Sequence, residues 1–396
     1  MKRKNLNETI LLSHGGGGEE MNRLINETIF AAFDNEILRA NNDSAILNLN
    51  LDAGADFDRA KPSSALNFAS SSGELAFSTD SFVVTPLFFN GGDIGKIAVC
   101  GTVNDLAMVG AKPLFLSCAL IIEEGLSLSE LRRILDSMAS TARSCGVRIV
   151  CGDTKVVPRG KCDKIFINTS GIGRVLRPAR VQNIKAGAKI LLSGDIGRHG
   201  AVILAARDEI ALSSELQSDC KPLCAAVEKL ILQGVKIQAM RDATRGGLSA
   251  VLNEFASSSG LEFLVREEDI KISDEVVGMC ELLGFEPYEL ANEGTFVAIV
   301  EDDAEADRAL EILREFDANA AIIGEVREVG HGGGEFEGSL TSKLSAQDES
   351  TGAASENRAE QFKAPYATKG RVILQNAYGS QRFLELPKGE LLPRIC

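Results

Sequence analysis

The sequence predicts an α+β protein of two domains. Its 396 residues suggest two or three domains. Segments with helical and with strand period alternate in both halves. The strands are not uniformly apolar, as those of a doubly wound parallel sheet would be. The first domain is expected over residues 1–173, the second over 174–386, and a mobile tail over 387–396.

The elements follow in order. Ile10-Leu11-Leu12-Ser13-His14 leads into four glycines, Gly15 to Gly18, and Glu19 to Phe33 reads as a helix with Met21, Leu24, Ile25 and Ile29 on one face. Leu38 to Leu51 is strand-like around Asn42-Asp43, and 52–72 has no period and reads as a long mobile loop. Glu74 to Phe89 alternates as a strand or hairpin. Gly91 to Lys96 opens a helix that runs to about Gly110, and Pro113 to Ile122 is expected as a buried strand. Ser127 and Glu130 have capping-box spacing, and Leu128, Leu131, Leu135, Met138 and Ala142 form the stripe of the next helix. Val147–Cys151 and Ile165–Val175 close the first domain as strands.

In the second domain strands are expected at Lys189–Ser193, Val235–Met240, Leu261–Val265, Thr295–Val300 and Ala320–Val326. Helices are expected at His199–Glu209, Pro222–Gln233, Gly246–Ser257 and Asp303–Phe316. Residues 331–369 lack apolar period and read as a disordered insertion. Arg371–Gln375 and Arg382–Leu386 read as a closing hairpin.

Composition narrows the function classes. The net charge of −14 argues against a nucleic-acid or anionic-membrane partner. No apolar run is long enough to span a bilayer, and Met1-Lys2-Arg3-Lys4 is followed by polar residues rather than by the core of a signal peptide, so a cytoplasmic protein is expected. Nine cysteines, odd in number and scattered, do not form a disulfide framework. Cys220 and Cys224 lack the partners that would complete a zinc site, and the three histidines are too scattered for another metal set.

Several segments could carry chemistry. The glycines at 15–18, with the helix after them, could bring backbone N–H groups to a phosphate; the structural alternative is a flexible turn, and no P-loop lysine follows. Asp43, Asp80, Asp105, Asp153 and Asp242 are read in turns beside strands, in apolar or glycine-rich settings. Such hard oxygen ligands suit Mg²⁺ on nucleotide phosphates, although any one of them could be a helix cap or turn residue. Glu293, in Asn292-Glu293-Gly294, could be a turn residue or a general base, and His199 reads as an ordinary helix-start residue. The tail Leu391-Leu392-Pro393-Arg394-Ile395-Cys396 ends on a thiol able to enter a pocket as a substrate would; Pro393 biases it toward an extended form.

Taken in series, His14-Gly15-Gly16-Gly17-Gly18, Gly91-Gly92-Asp93-Ile94-Gly95-Lys96, Gly101-Thr102-Val103-Asn104-Asp105-Leu106-Ala107-Met108, Gly152-Asp153-Thr154-Lys155, Arg241-Asp242-Ala243-Thr244-Arg245-Gly246-Gly247 and Pro393-Arg394-Ile395-Cys396 resemble the HypE family of hydrogenase maturation proteins. The resemblance runs over nearly the whole chain and breaks at about 50–72 and 331–369. It places the chain in the wider group of aminoimidazole ribonucleotide synthetase, selenophosphate synthetase and thiamine-monophosphate kinase.

That resemblance implies two α+β domains, the first pairing in a homodimer to form a β-barrel-like core. It implies ATP bound at Gly15, Gly16, Gly17, Gly18, Asp80, Lys96, Asn104 and Asp153, and Mg²⁺ held by Asp43, Asp105 and Asp242. Cys396 would carry a carboxamide loaded by the carbamoyltransferase HypF. ATP would convert the carboxamide oxygen to a leaving group, with Lys155 aiding activation and Glu293 as a candidate base. The resulting thiocyanate would supply cyanide to iron on the HypC–HypD scaffold for [NiFe]-hydrogenase. The alternatives are a related small-molecule kinase or amidine-forming synthetase, and a nucleotide-binding scaffold that uses Cys396 only for docking.

Overall fold

Glu19–Leu24 forms α1 and Ala45–Asn48 forms β1 of the chain. They belong to a computed structural model that describes residues 18–24, 44–48, 74–207, 215–329, 370–388 and 395. β2 (Glu74–Phe82), the short pair β3 (Phe88–Phe89) and β4 (Gly92–Asp93), α2 (Ile94–Met108), β5 (Ala111–Glu123), α3 (Leu128–Ser144), β6 (Arg148–Val157) and β7 (Ile165–Val175) complete the first half. Five of these strands form one sheet in the order β1-β2-β7-β5-β6, antiparallel except for the β5–β6 pair. That parallel pair needs a crossover, and α3 supplies it.

α2 is the axis of this half. Asp93 caps it by accepting the Gly95 and Lys96 N–H groups at 2.8 and 3.0 Å. It ends at Val109, and Gly110 leaves with φ +77°, open to a residue without Cβ. Thirteen of its residues are buried; only Lys96 and Asp105 are partly open. A helix apolar all round belongs inside a core, and α2 lies between the sheet and α3, with Ile94, Ile97, Val103, Leu116, Ile134 and Met138 in one cluster.

The structure adjusts several expectations. The helix after Gly91 starts three residues later, because Gly92-Asp93 pairs with Phe88-Phe89 first. Pro113–Ile122 is not a fully buried strand; β5 is longer and only partly covered. The buried stripe of α3 is Ile134, Met138 and Ala142, while Leu128 and Leu135 are exposed. Val147–Cys151 underestimates β6, which runs to Val157 and is exposed along nearly all of its length. Residues 25–43, 49–73 and 330–369 lie outside the described residues, so the rest of the Glu19–Phe33 helix and both expected loops do as well.

The second half contains β8 (Lys189–Leu192), α4 (Arg198–Ala206), α5 (Cys224–Leu232), β9 (Ile237–Asp242), α6 (Gly247–Ser259), β10 (Glu262–Arg266), α7 (Asp274–Leu283), β11 (Phe296–Val300), α8 (Asp303–Arg314), β12 (Ala321–Arg327), β13 (Arg371–Gln375) and β14 (Gln381–Phe383). Seven strands form one sheet, β14-β13-β10-β12-β8-β11-β9, with only β10–β13 parallel. β13 and β14 form the expected hairpin, although β14 is displaced toward Gln381. α7 was not expected from the sequence. Its N-cap Ser273 and the left-handed Gly284 at its end are ordinary helix signals. The sheet buries one face under α6 (Leu248, Val251, Leu252, Phe255) and the other under α5 and α8 (Val227, Leu230, Ala309, Leu313). Ala107 and Met108 of α2 join the second of these cores, and Ile203 and Ala291 join the core of the first half. Among the described residues no helix is long and apolar enough to cross a membrane.

Candidate active site

The site is built on a short irregular strip, Ser218 to Leu223, lying between the two halves. Its backbone is bracketed by first-half residues. Ser218 donates its N–H to the Asn90 carbonyl at 3.0 Å, Leu223 donates to Asn104 Oδ1 at 2.8 Å, and Asn104 Nδ2 donates to the Lys221 carbonyl at 3.2 Å. Gly91, at φ +89°, comes so close that an added Cβ would stand 2.8 Å from the Ser218 nitrogen.

From the other side the strip holds the turn before β11. Asp219 accepts the Glu293 N–H at 3.1 and 3.2 Å and the Gly294 N–H at 2.9 Å, and Lys221 donates its N–H to the Glu293 carbonyl at 3.3 Å. A Cβ at Gly294 would stand 1.9 Å from the Asp219 carbonyl oxygen, so only glycine fits there. Asn292 fixes the same turn, donating to the Ala243 and Leu290 carbonyls while its Oδ1 accepts the Gly197 N–H at 2.7 Å.

This turn places Glu293 in an unusual setting. It is 3% exposed, and among the described residues its Oε1 has no hydrogen-bond partner. Burial drives its pKa well above the ordinary carboxylate range. Cys220, Asp219 and Asp242 push the same way, and Arg245 opposes them. The Cys220 thiol is itself raised, by a hydrogen bond with Cys100 first and by burial second.

A second acidic group comes from the first half. Asp80 of β2 and Asp105 of α2 are hydrogen-bonded to each other; Thr102 Oγ1 donates to Asp80 at 3.3 Å and Ser78 Oγ to Asp105 at 2.7 Å. Burial raises the Asp80 pKa, while Asp105, Arg245 and Thr102 pull it down. Arg245 therefore acts electrostatically on both Asp80 and Glu293.

Ile395 reaches the same strip. Ile395, 3% exposed, sits in the core with Cys100, Cys220, Ile203 and Ala291. Its carbonyl lies 2.7 Å from His199 Nε2, and His199 Nδ1 lies 2.8 Å from Ser218 Oγ. His199 is fully buried on α4, with Phe89 meeting its ring edge-on at 5.4 Å. At the root of the tail, Pro387 accepts the Glu19 N–H at 3.0 Å, and a Cβ on Gly18 would stand 2.3 Å from the same carbonyl.

The other sequence-nominated residues fall as follows. Gly15, Gly16, Gly17, Asp43 and Cys396 lie outside the described residues. Lys96 donates from Nζ to the Gly91 carbonyl at 2.9 Å, and its charge reaches Cys220. Asn104 has its amide engaged by the strip, so any influence on nucleotide would pass through that backbone. Asp153 and Lys155 lie not in a turn but two residues apart on exposed β6, where they form their own ion pair at 2.8 Å. Asp80 and Asp105 likewise stand in a strand and a helix rather than in turns.

Sequence reasoning missed Asp219, Ser218, Arg245 and the role of His199. Arg245 lay within a segment already singled out. Asp219 and Ser218 sit in an unperiodic stretch, and their partners are about 20 to 75 residues away in the chain.

An oxygen-only set such as Asp80 and Asp105 fits a divalent cation: two carboxylates share a hydrogen bond that a cation between them would replace. Among the described residues no three such groups close on one point. Mg²⁺ commonly takes one or two carboxylates and completes its shell with phosphate oxygens and water, so two facing carboxylates are compatible with it.

A family model for the N-terminal domain of AIR synthase related proteins matches residues 63–175, and one for their C-terminal domain matches 185–337. The chain is 42% identical over 394 residues to the carbamoyl dehydratase HypE of Escherichia coli (strain K12), covering 98% of this chain and 99% of that protein. It is similar to a chain of the solved HypE–HypF complex with a TM-score of 0.73 at 39% identity, over 92% of this chain and 99% of that one. It is also similar to HypE solved in complex with ATP, with a TM-score of 0.69 at 39% identity, over 98% and 100% of the two chains.

Proposed function

This chain belongs to the HypE family of AIR synthase related proteins, and from that premise we propose how its residues carry out the family's reaction. The chain is an ATP-dependent carbamoyl dehydratase of hydrogenase maturation. Cys396 carries the carboxamide as a thiocarbamate on its sulfur. The γ-phosphoryl group of ATP passes to the carboxamide oxygen as its bond to ADP breaks. The carbon–oxygen bond then breaks, the oxygen leaves in inorganic phosphate, and loss of both N–H protons leaves S–C≡N. ATP is required because an amide oxygen is otherwise a poor leaving group.

The observation that carries this reading is Glu293. It is a buried carboxyl whose Oε1 has no partner among the described residues, on a turn held by the same strip that seats Ile395, the neighbour of Cys396. A carboxyl made more basic by burial is suited to accept an N–H proton. Asp80 and Asp105, with Asp43 and Asp242, would hold Mg²⁺, which would neutralise phosphate charge when bound. Lys96, Asp153 and the glycines Gly15 to Gly18 would contribute to the nucleotide site. Lys155 would aid activation of the carboxamide from the exposed face of β6.

That exposed face also supports a homodimer. Among the described residues β6 is an edge strand, paired only with β5, and Val150, Val156, Ile121, Ile149, Phe77 and Ile172 expose apolar surface on its sheet. Among the described residues the sheet is open; two such sheets joined would form the barrel-like core and cover that surface. HypF would load Cys396 and the HypC–HypD scaffold would take the cyanide.

The test is mass spectrometry of the Cys396 peptide after incubation with HypF, carbamoyl phosphate and ATP, with ATP then supplied to or withheld from the re-isolated carbamoylated chain. Loss of one water from the adduct only in the ATP arm supports the reading; an adduct unchanged by ATP overturns it.

A further inference from the structure

We propose that His199, held in register by Ser218, is a positioning residue that locks the tail into its reactive seat through the Ile395 carbonyl. This deepens the function above and rests on it for the catalytic consequence. The seat itself stands on the geometry alone.

The chemistry of the partners sets the protonation pattern. The Ile395 carbonyl can only accept, so His199 Nε2 at 2.7 Å must carry the proton. Burial favours a neutral ring and pushes its pKa down; the Ile395 carbonyl and Asp219 pull it up. In the neutral ring Nδ1 is an acceptor, and Ser218 Oγ–H, 2.8 Å away, donates to it. The same Oγ accepts the Cys220 N–H at 3.1 Å, which leaves the hydroxyl hydrogen free to turn toward the imidazole. The relay runs from Cys220 N–H through Ser218 and His199 to the Ile395 carbonyl.

The location of the bond gives it a purpose. The Ile395 carbonyl belongs to the peptide group that joins Cys396, so fixing its direction limits where the next residue's side chain can reach. Ser218, next to Asp219, also ties this lock to the segment that holds the Glu293 turn. The tail carbonyl and the candidate base are thus registered against the same short piece of backbone. His199 is a full turn of chemistry away from a surface residue: it is completely buried, with Phe89 against its ring.

The test uses the full chain and two replacements. His199→Gln can still present an amide donor where Nε2 stands, whereas His199→Asn reaches only as far as Nδ1. Each is treated with N-ethylmaleimide, and the rate of Cys396 labelling is read by mass spectrometry of its peptide. Dehydration of the carbamoylated chain is measured in parallel, with ATP affinity as a control. His199→Asn should label about tenfold faster and lose a comparable factor in turnover at unchanged ATP affinity, since removing one buried hydrogen bond is an effect of that size. His199→Gln should recover a substantial part of both.

Unchanged labelling in His199→Asn would overturn the lock, and so would equal losses in the two variants, which would point to ring packing. Should His199→Asn fail to fold, Ser218→Ala keeps the imidazole but frees its tautomer, and should label about threefold faster; no change there also overturns the proposal. If wild type labels slowly but its carbamoylated form never loses water, the functional reading fails while the lock remains.

Discussion

The carboxylate of Asp219 accepts the backbone N–H of Glu293 and, at 2.9 Å, that of Gly294. One acidic side chain thereby shapes the turn that buries another. The arrangement has a cost in like charge, since Asp219 is among the groups that raise the Glu293 pKa. A residue that only stabilised the turn would serve better without that charge.

Glu293→Gln should lower dehydration by about 10²–10⁴-fold if the carboxyl moves a proton in the transition state. Stability should respond in the opposite sense. The folded chain holds the Glu293 proton to a higher pH than the unfolded chain, whose value lies near 4.5. Between those two values stability falls as pH rises, and above both the full penalty is present. The variant should therefore melt about 2–4 °C above wild type at pH 8 for each kcal/mol relieved, with the gap closing toward pH 4.5. Melting curves across that range check it, and a gap that grows on acidification would be the wrong sign.

Gly294→Ala should disrupt the turn without removing any functional group. The new methyl would stand 1.9 Å from the Asp219 carbonyl oxygen, so backbone must move. A loss of about 1–3 kcal/mol by denaturant unfolding is expected, with turnover falling further than stability accounts for. An unperturbed variant would show that strip and turn are loosely joined.

Asp105→Asn and Asp242→Asn should each reduce Mg·ATP use by about 10²–10³-fold, the scale of a lost electrostatic contact in phosphoryl transfer. Asp105 is only partly buried, and its variant should melt like wild type. ATP turnover against Mg²⁺ concentration is the measurement; unchanged curves in both variants would remove these residues from the metal assignment.

Cys396→Ala and Cys396→Ser should bind ATP as wild type does and yield no cyanated product. Extending the chain beyond Cys396 should reduce turnover on the order of a hundredfold, because misplacement of a reacting group by about 1 Å costs that much. Hydrogenase maturation in cells by a variant lacking Cys396 would refute its role as carrier.

Most elements were legible because their signals are local. The capping box at Ser127 and Glu130 is present, and Arg371–Gln375 is a strand as expected. Burial was harder to read. Nothing within β6 announces that a strand carrying Ile149, Val150 and Val156 stays exposed on both faces, and the stripe of α3 rotates because Ile134, rather than Leu135, meets α2. The site was partly legible. Asp80, Asp105 and Asp242 are nominated by their glycine and apolar neighbours, and Glu293 by its place just before a strand. His199 and Asp219 act through partners distant in the chain, and no periodicity records such pairings.

The parallel pairing of β10 with β13 sets a timetable for synthesis. Roughly a hundred residues separate Arg266 from Arg371, and a ribosome making about 5–20 residues per second needs about 5–20 seconds to produce them. For that interval the nascent sheet presents one open edge of β10, the strand containing Phe263, Leu264 and Val265, to whatever is nearby. The charged residues Glu262 and Arg266 at its ends are the guards it has meanwhile. When β13 emerges, Arg371 meets Glu262 in an ion pair at 2.6 Å, so one of those guards becomes the first rung of the β10–β13 pair.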